Sequence, residues 1–547
     1  MIKKMITIFI LFFTGATLLA VNYYLEKPKD STPIVDDQDI YVKDKLGIKE
    51  LYLTIMPTNE KSVEYARTFN ELNERKYEDL QIKVLFQEGK NGGSQPGYYG
   101  FGLTDANATM ELRGQTSRRL ALKSYKVKLN KKVGLWDGYS VINLNKHFHD
   151  PIKIRNKLNY DLFKNIPNFT SLRTQFVHVY IKDYSEGNYD QEFIDYGLFT
   201  QIENVDKDFL KIHGLDPKGW LYKAESFEFY RYSEELMLEN EPDYQEKVFE
   251  DVLEIKGDKD HSKLISMLND VNNKYIHIND VIDKHFNREN YITWLAVNIL
   301  VGNIDTTSRN FFLYSPMDND AWYFLPWDYD GTWGWYEKLD QTARNAPWQE
   351  GVSNYWGVVL HQRFLQNDKN REELTKKIEE LSKTYIIQEK VKALVESYKP
   401  IVTEFLNREP DKLSPETINT EFERIYSSLD KNKKSYYVSL EKPMPVFMGK
   451  PSNLGDSVIF TWSESYDFQG ETIEYILDIS NSPEFDTVLF HEEGIKETEH
   501  VVNGLNPGHY FWRLTIKDSQ GNTQTPFDVY TDDSGNKYFG IRDFLIN

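Results

Sequence analysis

The stretch GNIDTTSRNFFLY, residues 302–314, is followed after a short polar turn by WYFLPWDYDGTWG, residues 322–334. FFLY and AWYFLP are β-forming runs on either side of that turn, so together they read as a hairpin. Asp305, Asn310, Asp328 and Asp330 stand beside these runs. A hairpin returns the chain to its starting point, so residues before the first strand and after the second can meet. A carboxylate next to Phe, Leu and Trp is costly to bury unless something pairs with it. A metal ion would do so, and so would a substrate hydroxyl.

Upstream of this hairpin, short alternating runs read as strands of an antiparallel or mixed sheet: LYLTIM (51–56), LQIKVLF (80–86), ATMELRG (108–114), SYKVKLN (124–130) and FVHVYIKD (176–183). Among them, residues 152–166 carry Ile154, Leu158, Leu162 and Ile166 at helical spacing. The middle of the chain turns helical over 252–273, 286–303, 360–385 and 386–406. Strands first, then helices around one hairpin, is an α+β, two-lobe order. Past a Pro-rich joint near Glu441, short strands recur at the spacing of an all-β sandwich. Within them LNPGHYFWRLTIKDSQGN (505–522) resembles part of a fibronectin type III domain. The expected divisions are 1–22 (signal peptide or membrane anchor), 23–45 (linker), 46–440 (main domain) and 443–547 (sandwich).

The N-terminus carries Lys3 and Lys4 before an apolar run from Met5 to Val21. That is the pattern of an export signal, and the run is long enough for an uncleaved transmembrane anchor. The expectation is an exported chain, membrane-anchored with an extracytoplasmic domain or secreted. There are no cysteines, which excludes disulfides, iron–sulfur clusters and Cys-ligated zinc. With 85 acidic against 65 basic residues the net charge is −20, and without a basic stripe nucleic acid is not an expected partner.

DTTSRN spaces Asp305 and Asn310 as D-x-x-x-x-N, the arrangement of a protein-kinase catalytic loop. There the Asp accepts the proton of the attacking hydroxyl and the Asn holds a metal. The bland alternative is a turn residue at a helix end. Asp328 suits the strand-end magnesium ligand of such a site, with Asp330 before Gly331 a close second; both also suit a solvated turn. For positive charge, Arg113-Gly114 leads into a turn ending at Ser117 that could offer backbone N–H groups to phosphate. On the next strand Lys123 shares a face with Tyr125, Val127 and Leu129, opposite Lys126, and is preferred over Lys126 as the nucleotide lysine. A lysine-protected edge strand is the other reading. Glu203 closes an apolar strand and reads either as an adenine-flanking hinge or as a plain strand end. His147 and His149 share a face at strand spacing, without a second pair to complete a zinc site. Trp327, Trp333 and Trp335 read as packing or as stacking platforms.

RGQTSRRLALKSYKVKL, LNKHFHDPIKIRNKLNYDLF, YGLFTQIENVDKDFLK, NILVGNIDTTSRNFFLY, FLPWDYDGTWG and LHQRFLQNDKNREELTKKIEEL, in this order, resemble the bacterial CotH (spore coat protein H) kinase family over roughly 45–410. The resemblance implies an atypical two-lobe kinase-like fold that uses ATP with Mg2+ or Mn2+ to phosphorylate Ser or Thr of protein substrates. It implies Asp305 as the catalytic aspartate, Asn310 and Asp328 as metal ligands, and Arg113 to Ser117 as the phosphate-facing loop. The helix at 152–166 contains no Glu for a kinase-like Lys–Glu pair. The rival expectations are an inactive surface scaffold and a nucleotidyltransferase using the same site. The C-terminal domain is expected to bind a surface protein or polysaccharide.

Overall fold

The structure, a computed structural model, describes residues 32–34, 36–42, 46–58, 64–76, 78–114, 117–147, 150–335 and 346–546. The first lobe is built from β1 (Ile48–Ile55), β2 (Gln81–Lys90), β3 (Gly93–Ser94), β4 (Ala108–Leu112), β5 (Tyr125–Leu129), β6 (Val141–Asn145), β7 (Thr174–Asp183) and β8 (Ile194–Ile202). Their order is β1-β7-β8-β6-β5-β4-β2-β3, and β1 also pairs with β2, so the sheet closes on itself. Only the β1–β7 pairing is parallel. Closure removes the free edges that a long twisted sheet would otherwise expose. Alternation then sends Leu53, Val84, Met110, Val127, Ile142 and Val179 into one interior core. The intervening Glu111, Lys126 and Asn143 fall on the outer face.

The second lobe contains β9 (Trp220–Ala224), β10 (Leu253–Ile255), β11 (Phe311–Ser315) and β12 (Tyr323–Pro326), in the order β10-β9-β11-β12. The helix Arg288–Val301 runs against this sheet and is buried on nearly every side. Helices Asp368–Thr384 and Pro415–Leu440 pack on it, and Gln388–Leu406 packs on Pro415–Leu440 and on the helix Arg155–Phe163. The expected helix over 360–385 is two helices, Val359–Leu365 and Asp368–Thr384. Asn367 separates them, accepting the Asn370 amide as a cap. The expected helical stretch 252–273 begins as strand β10, with its helix confined to Ser262–Asn272. The helix Pro415–Leu440 has no counterpart among the sequence expectations.

The C-terminal region is all β. Sheets centred on Ser457–Thr461 and on Ile473–Ser480 with Gly508–Asp518 enclose Phe460, Leu477, Trp512 and Leu514. Tyr510, at the start of the long strand, donates its hydroxyl to the Asn506 carbonyl (2.9 Å), a corner contact frequent in β-sandwiches.

The apolar run Met5–Val21 lies outside the described residues. Among the described residues no helix is long and apolar enough to cross a membrane. The expected linker is, where described, docked rather than free. Ile34 and Asp36 are only 5% and 7% exposed, and the Ile34 amide donates to Asn168 Oδ1 at 2.6 Å. An apolar side chain and a carboxylate that find partners on the second lobe hold this polar stretch down.

Candidate active site

Phe311 pairs with Pro326 across the β11–β12 hairpin, so the chain entering β11 and the chain leaving β12 sit side by side. Asn310 therefore stands next to the Trp327–Asp328 step, and the loop carrying Asp305 folds over the same end. That loop begins where the helix Arg288–Val301 stops at Gly302. Gly302 has φ +66°, and a Cβ there would lie 2.7 Å from Asn432 Nδ2. Only glycine accommodates both the left-handed backbone and the close approach.

Asn310 donates its side-chain amide to the Asp305 backbone oxygen (2.9 Å) and carboxylate (3.0 Å), tying the two motif residues together. Asn310 and Asp328 both hold left-handed backbone, at φ +62° and +55°. Asn and Asp tolerate this better than other side-chain-bearing residues, yet it remains a cost. Both bends place polar side chains at one end of the hairpin.

The helix Arg155–Phe163 supports the Asp328 loop from below. The Asp328 amide donates to the Tyr160 hydroxyl (3.0 Å), and the Tyr329 amide to Asn156 Oδ1 (2.7 Å). Asn156 Nδ2 approaches Asp328 Oδ1 at 3.5 Å. Asn159 donates to Thr332 Oγ1 (2.8 Å) and the Tyr329 carbonyl (3.2 Å), and accepts from Trp333 Nε1 (3.1 Å). Arg155 Nε reaches the Thr332 carbonyl at 2.9 Å, and Asp150 and Glu421 neutralise its guanidinium at 2.7 Å each. Reading this segment by its apolar stripe missed these residues. The available signal was polar: Arg155, Asn156 and Asn159 interrupt a helix that is buried all round.

Arg113 brings the positive charge. It follows β4, lies over the Trp327 ring (5.2 Å) and donates to Asn145 Oδ1. Burial pulls its pKa down, while Asp328, Tyr160 and Asp330 pull it up. Asp328 shows the complementary imbalance. Burial raises its carboxyl to about 7; Asp330 and Asp305 add to the rise, and Arg113 opposes it. The Asp328 carboxyl thus sits among acidic neighbours with Arg113 opposing them, a setting that would also favour a divalent cation. The donors are all oxygens, which suits a hard cation such as Mg2+ or Mn2+. Among the described residues the Asn310 side-chain oxygen has no protein partner, leaving it available as a ligand. The carboxylates of Asp305, Asp328 and Asp330 do not all come within 4.8 Å of one another, so the site is open rather than a closed cage.

His147 is a further neighbour. It is buried, its Nδ1 lies 3.8 Å from Asp330 Oδ2, and among the described residues neither ring nitrogen has a hydrogen-bond partner. His149, the other member of the expected pair, lies outside the described residues.

The remaining candidates divide. Gly114, at φ +82°, lets Ser117 Oγ close the turn onto the Arg113 carbonyl (2.9 Å); Gln115 and Thr116 lie outside the described residues. The preference for Lys123 over Lys126 is not supported by the geometry. Lys123 precedes β5 and donates to the Arg118 carbonyl (2.6 Å), with Lys76 as its charged neighbour. Lys126 lies on the outer face of β5, 3.4 Å from Glu111, and its charge reaches Glu254 and Lys256 of the second lobe. The inward face was already filled with apolar side chains, so the outward lysine looks across the lobes. Glu203 is not an exposed hinge. It binds Arg173 (2.7 Å) and His213 (2.9 Å) in a buried network with Asp36. Trp327 packs on Phe312, and Trp333 is fully buried, so both serve packing.

The Inner spore coat protein H of Bacillus subtilis (strain 168) is 24% identical over 313 residues, covering 55% of this chain and 81% of that protein. A solved Twitchin kinase region from C.elegans aligns at 16% identity over 18% of this chain and 20% of its own, with a TM-score of 0.13, too low to bear on the fold. The family described as CotH kinase protein matches residues 110–436, a span that holds Arg113, Asp305, Asn310 and Asp328. A match over more than half of the chain, with the acidic hairpin end inside it, establishes that this protein belongs to the CotH kinase family.

Proposed function

We propose that this protein transfers the γ-phosphate of ATP to Ser or Thr hydroxyls of a protein substrate, with Mg2+ or Mn2+. The observation that carries the reading is the meeting of Asp305, Asn310 and Asp328 at one hairpin end, facing Arg113. In this scheme Asp328 and Asn310 would hold the cation. When bound, the cation would neutralise phosphate charge and align the γ-phosphoryl group for in-line transfer. Arg113 contributes charge to the phosphates, and its stacking on Trp327 fixes its direction. Asp305, held by Asn310, orients the acceptor hydroxyl and takes its proton as the new O–P bond forms and the bond to ADP breaks. Positioning and electrostatics supply most of the acceleration in such reactions.

We further place the protein outside the cytoplasm. The Lys-led apolar N-terminus supports export with a membrane tether, and the relative named as an inner spore coat protein supports a coat or surface location. Exposed Leu454, Leu489 and Leu545 would give the C-terminal sandwich apolar surface for a surface partner.

The test incubates the purified chain with ATP labelled at the γ- or α-phosphate, a divalent cation and a Ser/Thr-rich acceptor. Asp305→Ala should lower turnover by roughly 10²–10⁴-fold, the range for losing a positioned base, and Asp328→Ala should abolish cation-dependent ATP binding. Transfer of α-label alone would make the protein a nucleotidyltransferase. Absence of both transfer and ATP binding would leave the scaffold reading.

A further inference from the structure

Two loops of the C-terminal sandwich carry nearly the same sequence, DFQGE (467–471) and DSQGN (518–522). They fold alike. Asp467 Oδ1 accepts the amides of Gln469 (2.8 Å) and Glu471 (3.0 Å), and Asp518 Oδ1 accepts those of Gln520 (3.0 Å) and Asn522 (2.8 Å). Gly470 and Gly521 make the bends at φ +73° and +92°. The loops meet so that one carboxylate oxygen each from Asp467, Glu471 and Asp518 lies within 4.8 Å of the others. Among the described residues this is the one group of three such ligands drawn so close.

An acidic cluster alone says little, because exposed carboxylates gather without a ligand. Here a second observation bears on the point. Asp467 is 7% exposed, and its Oδ2 is buried without any hydrogen-bond partner. Its sister oxygen is used by two amides, so among the described residues Oδ2 is left with no donor. Asp518, 3% exposed, has both oxygens hydrogen-bonded, Oδ2 to Asn522 Nδ2 at 2.8 Å. Glu471 accepts only a long contact from Ser519 Oγ (3.4 Å). Among the described residues no Lys, Arg or His pairs with any of the three. A buried, unpartnered carboxylate oxygen beside two more carboxylates is costly unless a cation joins them.

We propose that Asp467, Glu471 and Asp518 bind a divalent cation of the calcium class, which clamps the C-terminal sandwich onto the kinase domain. Three carboxylates supply an oxygen-only set with room for backbone oxygens or water, the coordination Ca2+ favours over the rigid octahedron of Mg2+. The location explains the clamp. Gln469 Nε2 donates to the Leu440 carbonyl (3.1 Å) and Asn522 Nδ2 to the Glu441 carbonyl (2.9 Å), so both loops cap the C-terminal end of helix Pro415–Leu440. Beside them Phe468 packs under Arg371 (4.3 Å) and against Trp356 (5.8 Å) of the kinase domain. Fixing the two loops to each other fixes both caps at once.

The site is separate from the phosphoryl-transfer site, so the experiment silences the latter. The full chain carrying Asp305→Asn and Asp328→Asn is titrated with Tb3+, whose emission nearby Tyr466 and Trp356 would sensitise, and then with Ca2+ and Mg2+ as competitors. Thermal melts and proteolysis at the 441–446 joint are run in Ca2+ and in EDTA. The expected results are sensitised emission displaced by Ca2+ at roughly 0.1–1 mM, typical of extracellular modules, with Mg2+ at least ~10-fold weaker. Ca2+ should also raise the melting temperature and slow cleavage at the joint. Glu471→Gln, which alters no amide cap, should weaken Ca2+ at least ~10-fold, as loss of a metal-site group does. Asp467→Asn should do the same. No emission in the silenced chain, unchanged affinity in Glu471→Gln and Asp467→Asn, or Mg2+ binding as tightly as Ca2+ would each overturn the assignment. Binding without protection of the joint would overturn the clamp.

Discussion

Replacing Asp328 by Asn should stabilise the metal-free protein, and by more as the pH rises. Burial lifts this carboxyl from 3.8 to about 7, with Asp330 and Asp305 adding to the lift and Arg113 opposing it. A carboxyl whose folded value is raised contributes stability that is complete below its unfolded value. That contribution is lost as pH rises through the folded one. Each pH unit in that window removes about 1.4 kcal/mol. From pH 5 to pH 8 the parent should therefore lose up to about 3 kcal/mol from this group, mostly between pH 5 and 7, that the Asn variant keeps. Partial opening of the site to cleft water makes that figure a ceiling. Urea unfolding of both proteins in EDTA, at half-unit steps from pH 5 to 8, measures it as a widening gap between two stability curves. Titrations elsewhere in the chain cancel in the difference. Adding Mg2+ at pH 8 should then raise the parent more than the variant, since the cation would bind the Asp328 carboxylate. Parallel curves across the whole range would refute the reasoning, because the Asp328 carboxyl would then not be crowded by its acidic neighbours.

His213 should show pH-dependent stability over a different window. Burial opposes its charge, yet Glu203 and Asp36 raise it from 6.5 to about 9. Its contribution is complete below about pH 6.5 and lost as pH rises through 9, so His213→Gln should flatten the parent's decline between pH 7 and 9 in the same urea assay. Arg113→Ala should weaken ATP binding by about 10–100-fold, the equivalent of one or two charge-assisted contacts. Arg113→Lys should recover part of this in calorimetry, because charge survives although the stacked fork on Trp327 does not. Gly302→Ala should cost at least about 1–2 kcal/mol from the left-handed backbone alone. It should also lower turnover, because Asp305 follows three residues on; unchanged melting and unchanged kinetics would refute the tight passage beside Asn432.

The acidic hairpin was readable because its signals are local. Two β-forming runs around a turn bring Asn310 and Asp328 together by strand pairing alone, and D-x-x-x-x-N spacing keeps Asp305 within reach. Most strands and the C-terminal sandwich were readable too, since alternation reports which side of a sheet is dry. Lys123 and Lys126 illustrate the limit of that signal. Alternation identified the two faces but not what lay opposite each, so the inward face was taken for the ligand side. Glu203 was ambiguous for the same reason: a strand end in sequence carries no record of Arg173 and His213, which come from other segments.

What the sequence determined by itself is therefore what neighbours along the chain can dictate: the hairpin, the helical run up to it, the D-x-x-x-x-N spacing, the cysteine-free acidic composition and the Pro-rich joint before the sandwich. What only the tertiary structure decided is everything that depends on distant segments meeting. The barrel closes because β1 reaches both β2 and β7. The helix Arg155–Phe163 buries Asn156 and Asn159 because the Asp328 loop, about 170 residues later, needs their hydrogen bonds. The carboxylates at 467, 471 and 518 converge because one strand begins beside the point where its antiparallel neighbour ends. Hydrophobic periodicity is written locally and survives in one dimension. Charge balance and hydrogen-bond satisfaction are settled only when the partners arrive, since an unpaired buried group costs the same wherever in the sequence its partner lies.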